Sequence, residues 1–186
     1  MKQPGFGVII LGLLILPPIK DYLESYMLLH MLVQLPLLIL SGWLIGKITE
    51  HKSINFLGIW NTNGVPGIIL FVFITMYWML PRALDEAVTI SYIEIFKFVS
   101  LPLAGFFLRD SWEKIQALGR GFIFLNYLSM FGLMAWLYID SPIQICNNYL
   151  ETQQKALGWG FLIITIGMVL YILQAVFTDH AEEAEA

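Results

Sequence analysis

Residues 159–177, WGFLIITIGMVLYILQAVF, carry no charged side chain. A run of about twenty apolar residues in a helix matches the ~30 Å hydrocarbon core of a bilayer. A helix that is hydrophobic all round is also a poor surface helix for a soluble domain. Comparable runs recur at residues 6–18, 22–45, 65–80, 88–108 and 122–139, separated by polar or proline-containing segments. The sequence therefore predicts an all-α fold, a polytopic transmembrane helix bundle of about six spans over residues 1–178. An acidic tail, 179–186, is expected to be disordered. Composition supports this class, since only 13% of the residues are charged against about 25% in soluble domains.

Residues 6–18 are read as a retained short first helix, because no small-residue cleavage site follows them. Residues 54–60 form an expected interfacial segment. No internal repeat stands out. The lone cysteine, Cys146, excludes an internal disulfide and any CxxC metal clip. No basic patch with interleaved aromatics points to nucleic acid. Nucleophile-elbow, phosphate-loop and HExxH motifs are missing, so an enzyme is not expected.

Six spans put both termini on one side. Lys2, Lys47, Lys52, Arg109, Lys114 and Arg120 fall on that side; Lys20, Arg82 and Lys155 fall on the other. The positive-inside rule then places both termini in the cytoplasm. With that orientation, Met27, His30 and Met31 lie in the outer part of the second span, and Met76 and Met79 at a similar level in the third. Glu94 lies in the outer half of the fourth. Asp21, Glu24, Asp85 and Glu86 rim the same outer face.

Within the second span, Met27, His30, Met31 and Gln34 fall at i, i+3, i+4 and i+7, one face of a helix. Pro36 frees a backbone carbonyl and is expected to disturb the helix near residues 30–32. Ser41–Gly42 allows a close helix approach. His30 is the one histidine within a span, and an intramembrane ionisable group is a functional candidate by default. Imidazole with thioethers suits Cu(I); interhelical hydrogen bonding is the alternative role. Glu94 and Lys97, at i and i+3, are expected to pair inside the membrane, where either charge alone is costly. His51 and His180 are read as solvated.

The stretch ILPPIKDYLESYMLLHMLVQLPLLILSGW resembles the start of the CtaG family of membrane proteins linked to cytochrome c oxidase assembly. His30-Met31 matches the first part of the family's HMxxH-like motif, and Gln34 stands where its second histidine lies. YWMLPRALDEA, residues 77–87, looks like the family's W-x-L-P segment. The resemblance implies copper delivery to the outer-face centre of an oxidase. The expected partners are then the lipid bilayer and an oxidase subunit or a periplasmic copper chaperone, in a bacterial inner membrane. His30, Met27 and Met31, with Met76 or Met79, are the candidate Cu(I) ligands. Two other readings stand beside it: a structural subunit of a membrane redox complex without a metal, and a small transporter using Glu94 and Lys97.

Overall fold

The computed structural model describes residues 2–47, 60–142 and 144–185. The stretch 48–59, with His51 and most of the expected interfacial segment, lies outside them, as does the side chain of His180. The described chain is all-helical: α1 (Lys2–Ile15), α2 (Pro17–Ser25), α3 (Met27–Ile45), α4 (Val65–Met79), α5 (Pro81–Thr89), α6 (Ser91–Trp112), α7 (Ala117–Asp140) and α8 (Glu151–Glu185). Four of these, α3, α6, α7 and the Glu151–Phe177 part of α8, are long and apolar enough to cross a membrane. The number rises to six if α1–α2 and α4–α5 each count as one bent span. Backbone helix continues through 179–185, the stretch expected to be disordered. Its alanines and glutamates are good helix formers.

A repeat does exist, contrary to the sequence reading. In α1–α2–α3 and in α4–α5–α6, an apolar helix ends at Leu-Pro and turns by 70° or 74° into a nine-residue helix. One extended residue then leads into a long helix. The residue before each proline is extended (Leu16 φ −61°, ψ 128°; Leu80 φ −69°, ψ 128°), as the proline ring demands of its predecessor. The hinge residues match as well, Tyr26 at φ −120°, ψ 122° and Ile90 at φ −122°, ψ 110°. Between α7 and α8 the chain has an extended Ser141 before Pro142 at the corresponding corner, and residues 144–150 are non-helical. Few residues are identical between the first two units; Leu16-Pro17 with Leu80-Pro81 and Asp21 with Asp85 are among them. Most other positions exchange one apolar residue for another, and several exchange a polar residue for an apolar one.

The three connections meet at one end of the bundle. There the Asp85 carboxylate accepts backbone N–H bonds from Asn147 (2.7 Å) and Asn148 (3.1 Å). Tyr149 reaches back to α2 and α3. At the other end Asn61, fully buried, donates to Asp110 and Ser111 of α6 and accepts from the Gly67 backbone N–H.

Between these ends α3 and α6 run in the same direction and cross at backbone contact. A Cβ on Gly42 would lie 1.8 Å from the Pro102 carbonyl oxygen, and one on Gly105 would lie 1.9 Å from that of Ile39. The close approach expected at Ser41–Gly42 is thus matched by a glycine on the facing helix, the small-residue packing of membrane helices. The core around this crossing holds Met27, Met31, Leu35, Leu38, Trp78, Leu84 and Phe161. The outer surfaces of α7 and α8 are lined by Phe122, Leu133, Trp136, Ile163 and Leu170 and suit contact with lipid.

Candidate functional site

Pro36 has no N–H to return to the carbonyl of residue 32. The chain absorbs the mismatch one turn upstream as a π-turn, His30–Gln34, closed by the Leu35 N–H on the His30 carbonyl. Such turns cluster at functional positions. Here it sets His30 and Gln34, both fully buried, against α6.

Lys97 of α6, also fully buried, points into that turn. Its ammonium donates to Glu24 Oε1 of α2 at 2.6 Å, to Gln34 Oε1 at 3.4 Å and towards His30 Nε2 at 3.3 Å. Lysine has three N–H donors, so this environment occupies all of them. Gln34 Nε2 in turn donates to Glu24 Oε1 at 3.1 Å. The Tyr149 hydroxyl donates to the Glu24 carbonyl at 3.0 Å and lies 2.8 Å from His30 Nδ1. Since its hydrogen is used, the phenol oxygen accepts from Nδ1–H. His30 is therefore the Nδ1–H tautomer, and its Nε2 lone pair faces the ammonium. One turn further along α6, Ser100 accepts from the buried Trp78 indole at 2.8 Å, joining α4 to the same helix.

A second ion pair lies outward of the first. Lys20 meets Glu94 at 2.6 Å, with both side chains 24% exposed. The expected Glu94–Lys97 pair is thus replaced by two pairs between helices, Lys20–Glu94 and Glu24–Lys97. The reason is geometric: α2 lies across the start of α6 and offers one cation and one anion at the right heights. The two pairs together carry no net charge, which suits burial.

The expected acidic rim divides in the same way. Asp21 is exposed beside Lys20, and Glu86 holds Arg82 at 2.7 Å. Glu24 and Asp85 are buried, each holding a partner from another unit. Cys146 is fully buried under the Asp85 latch, its thiol directed at the Pro81 carbonyl. Burial, then the Asp85 carboxylate, pushes that thiol up to about 12, so it is protonated at neutral pH.

The candidate copper ligands are not gathered into one open site. Met27, His30 and Met31 share a buried face, and Met79 packs against the same core, but Met76 is 44% exposed. Both His30 nitrogens already have partners. Among the described residues no group of three His, Cys, Asp or Glu side chains is placed to hold a metal. In this arrangement His30 Nε2 faces the Lys97 ammonium at 3.3 Å.

Sequence reasoning missed Tyr149 and Lys20, and placed Gln34 on the shared helix face without its partners Glu24 and Lys97. The amphipathic nine-residue segment bearing Lys20 and Glu24 was an available signal. Tyr149, 119 residues from His30, left none.

Fold and site together define an all-helical protein with helices long and apolar enough to cross a membrane, two like bent units among them, and a buried ion network at one end. No family model, curated protein or solved structure matches the chain.

Proposed function

We propose that the chain is a non-catalytic, multi-pass accessory subunit of a membrane redox complex, with its ion network serving to fix its helical units in one arrangement. The carrying observation is that the Lys97 donors and both His30 nitrogens are occupied within the protein. Bonds of this kind hold the groups in place, which supports a structural role. The resemblance to CtaG-like proteins supports a place beside a respiratory copper oxidase. The cation distribution supports a bacterial inner membrane with both termini cytoplasmic. Glu94 and Lys97 belong to different ion pairs, which favours the structural reading over a transport one.

Gentle extraction and native electrophoresis test this reading. The protein should migrate with a haem-containing complex and bind no stoichiometric Cu(I) in an anaerobic titration against a competing chelator. Migration alone, free of any larger assembly, would overturn it.

A second reading is Cu(I) handling at the outer face. It is favoured by Met27, His30 and Met31 sharing one buried face, and it requires Lys97 to withdraw from Nε2. Stoichiometric Cu(I) binding lost in both His30→Ala and Met31→Leu would establish it in place of the first.

A further inference from the structure

At the end of the bundle away from the ion network, α4 and α7 part company. They are joined at mid-height, where the Thr75 and Tyr127 hydroxyls bond and the Phe71 and Tyr127 rings lie 5.8 Å apart. Below that contact a cleft of about 1460 Å³ opens between them, walled by Ile69, Val72, Phe73, Phe122 and Leu125. An adjoining cleft of about 770 Å³ lies on the other face of α7, against α8, walled by Phe124, Met168, Tyr171 and Ile172. Gly121 lines both, and a Cβ there would meet nothing within 4 Å. Polar groups gather at the mouths: Lys114, Asn63 and Gln116 at the first, and Arg120 at the second. Lys114 is paired with Asp110 at 2.8 Å, and Arg120 rests on the Trp112 ring and carbonyl. Both side chains are exposed.

Three features identify an occupant. The first is depth: α7 from Ala117 to Asn126 covers roughly 15 Å at about 1.5 Å per residue, half of the ~30 Å hydrocarbon core. The clefts therefore have a length close to the depth of one leaflet. The second is shape, two apolar slots on either side of one helix and continuous over a glycine. The third is chemistry, apolar walls below and a cation at each mouth. Two chains joined at an anionic head, one leaflet deep, describe a phospholipid. We propose that α7 is straddled by one bound phospholipid, with an acyl chain in each cleft and its phosphate between Lys114 and Arg120. The site lies far from the ion network and does not depend on the proposed function.

Native mass spectrometry of the intact protein, stripped of lipid and titrated with phosphatidylglycerol, tests this. One equivalent should bind at least ten-fold more tightly than any further ones. Lys114→Gln with Arg120→Gln should weaken it at least ten-fold, as should the cleft-filling Leu125→Trp. Lys155→Gln, at the other end, should leave it unchanged. A phospholipid with a photoreactive acyl chain should label residues 69–73 and 119–126 above the outward residues Ile163 and Ile166 of α8. Phosphatidylcholine binding as tightly as phosphatidylglycerol, with the same labelling and the same loss in the double variant, would still support the site, because the phosphate is common to both. Labelling in proportion to exposure along every helix, or graded binding without a first tight equivalent, would overturn it as ordinary boundary lipid. Tight binding unchanged in both cleft and cation variants would also overturn it.

Discussion

The connections α2 and α5 have the same length, nearly the same bend and matching hinge conformations, yet their acidic side chains have different fates. Asp21 and Asp85 occupy equivalent positions, four residues after the corner proline. Asp21 is exposed, whereas Asp85 is buried and accepts from two backbone N–H groups of the 141–150 connection. Three residues on, the order reverses: Glu24 is buried against Lys97, and the equivalent Val88 is exposed. His30 and Glu94 are likewise equivalent, one in the core and one in the half-buried outer pair. The backbone plan is therefore set locally by Leu-Pro and the hinge. Which side chain goes inside is set by the unit that packs next. Each connection grips its successor, α2 on α6 and α5 on the 141–150 segment.

The two grips differ in kind, and breaking them separately should show it. The first is a buried ion pair, where removing one partner strands a charge at a cost of about 3–5 kcal/mol. Lys97→Met should give the largest loss of stability in reversible unfolding in mixed micelles. Adding Glu24→Gln should recover a substantial part, since the pair removed together leaves no bare carboxylate. If the double variant is as unstable as the single one, the network is not held by charge pairing.

The second grip is a carboxylate on backbone donors. Asp85→Ala should cost about 1.5–3 kcal/mol, the range for hydrogen bonds to a charged group. Its distinguishing effect is chemical. Cys146 is protonated because it is buried and because Asp85 lies nearby. Loss of the latch lowers both effects, so maleimide labelling near pH 7.5 should rise at least ten-fold. Lys97→Met, though less stable overall, should leave Cys146 slow to react while the protein stays folded. Equal acceleration in both variants would mean that the two grips open as one unit.

Hydropathy alone made the helices legible, and residue size made a close approach legible at Ser41–Gly42, though not its partner α6. The face shared by Met27, His30, Met31 and Gln34 follows from helical spacing, and all four are buried. The disturbance expected from Pro36 is the π-turn. The network itself was not legible, because its contacts are distant in sequence: Lys97 to Glu24 spans 73 residues and His30 to Tyr149 spans 119. Spacing rules report only neighbours three or four residues apart, so they favoured Glu94–Lys97. They also could not rank four carboxylates at one face by burial, which depends on the helix laid across them. The repeat escaped for a related reason. Membrane helices conserve apolarity and not identity, leaving only the corner prolines and a few polar positions to mark it.

The smallest expected effects lie at the outer margins of the same two connections. Lys20 of α2 meets Glu94 at 2.6 Å, both side chains 24% exposed. Arg82 of α5 meets Glu86 at 2.7 Å with its own side chain 88% exposed. Distances this similar would give similar energies if contact alone decided. Solvent decides instead: water and salt screen an exposed pair, and holding two long side chains in one geometry costs entropy. Lys20 is also shared, since Glu24 and Asp21 add to the attraction of Glu94. Lys20→Ala should therefore lower stability by about 0.5–1 kcal/mol, shrinking as ionic strength rises from 0.05 to about 0.5 M, where screening shortens to a few ångströms. Arg82→Ala should fall within measurement error at every salt concentration. A salt-insensitive loss at Lys20 would assign its role to packing of the aliphatic stem on α6. A measurable loss at Arg82 would place the second connection's stability partly on its exposed face, and the contrast between charge-held α2 and backbone-held α5 would weaken accordingly.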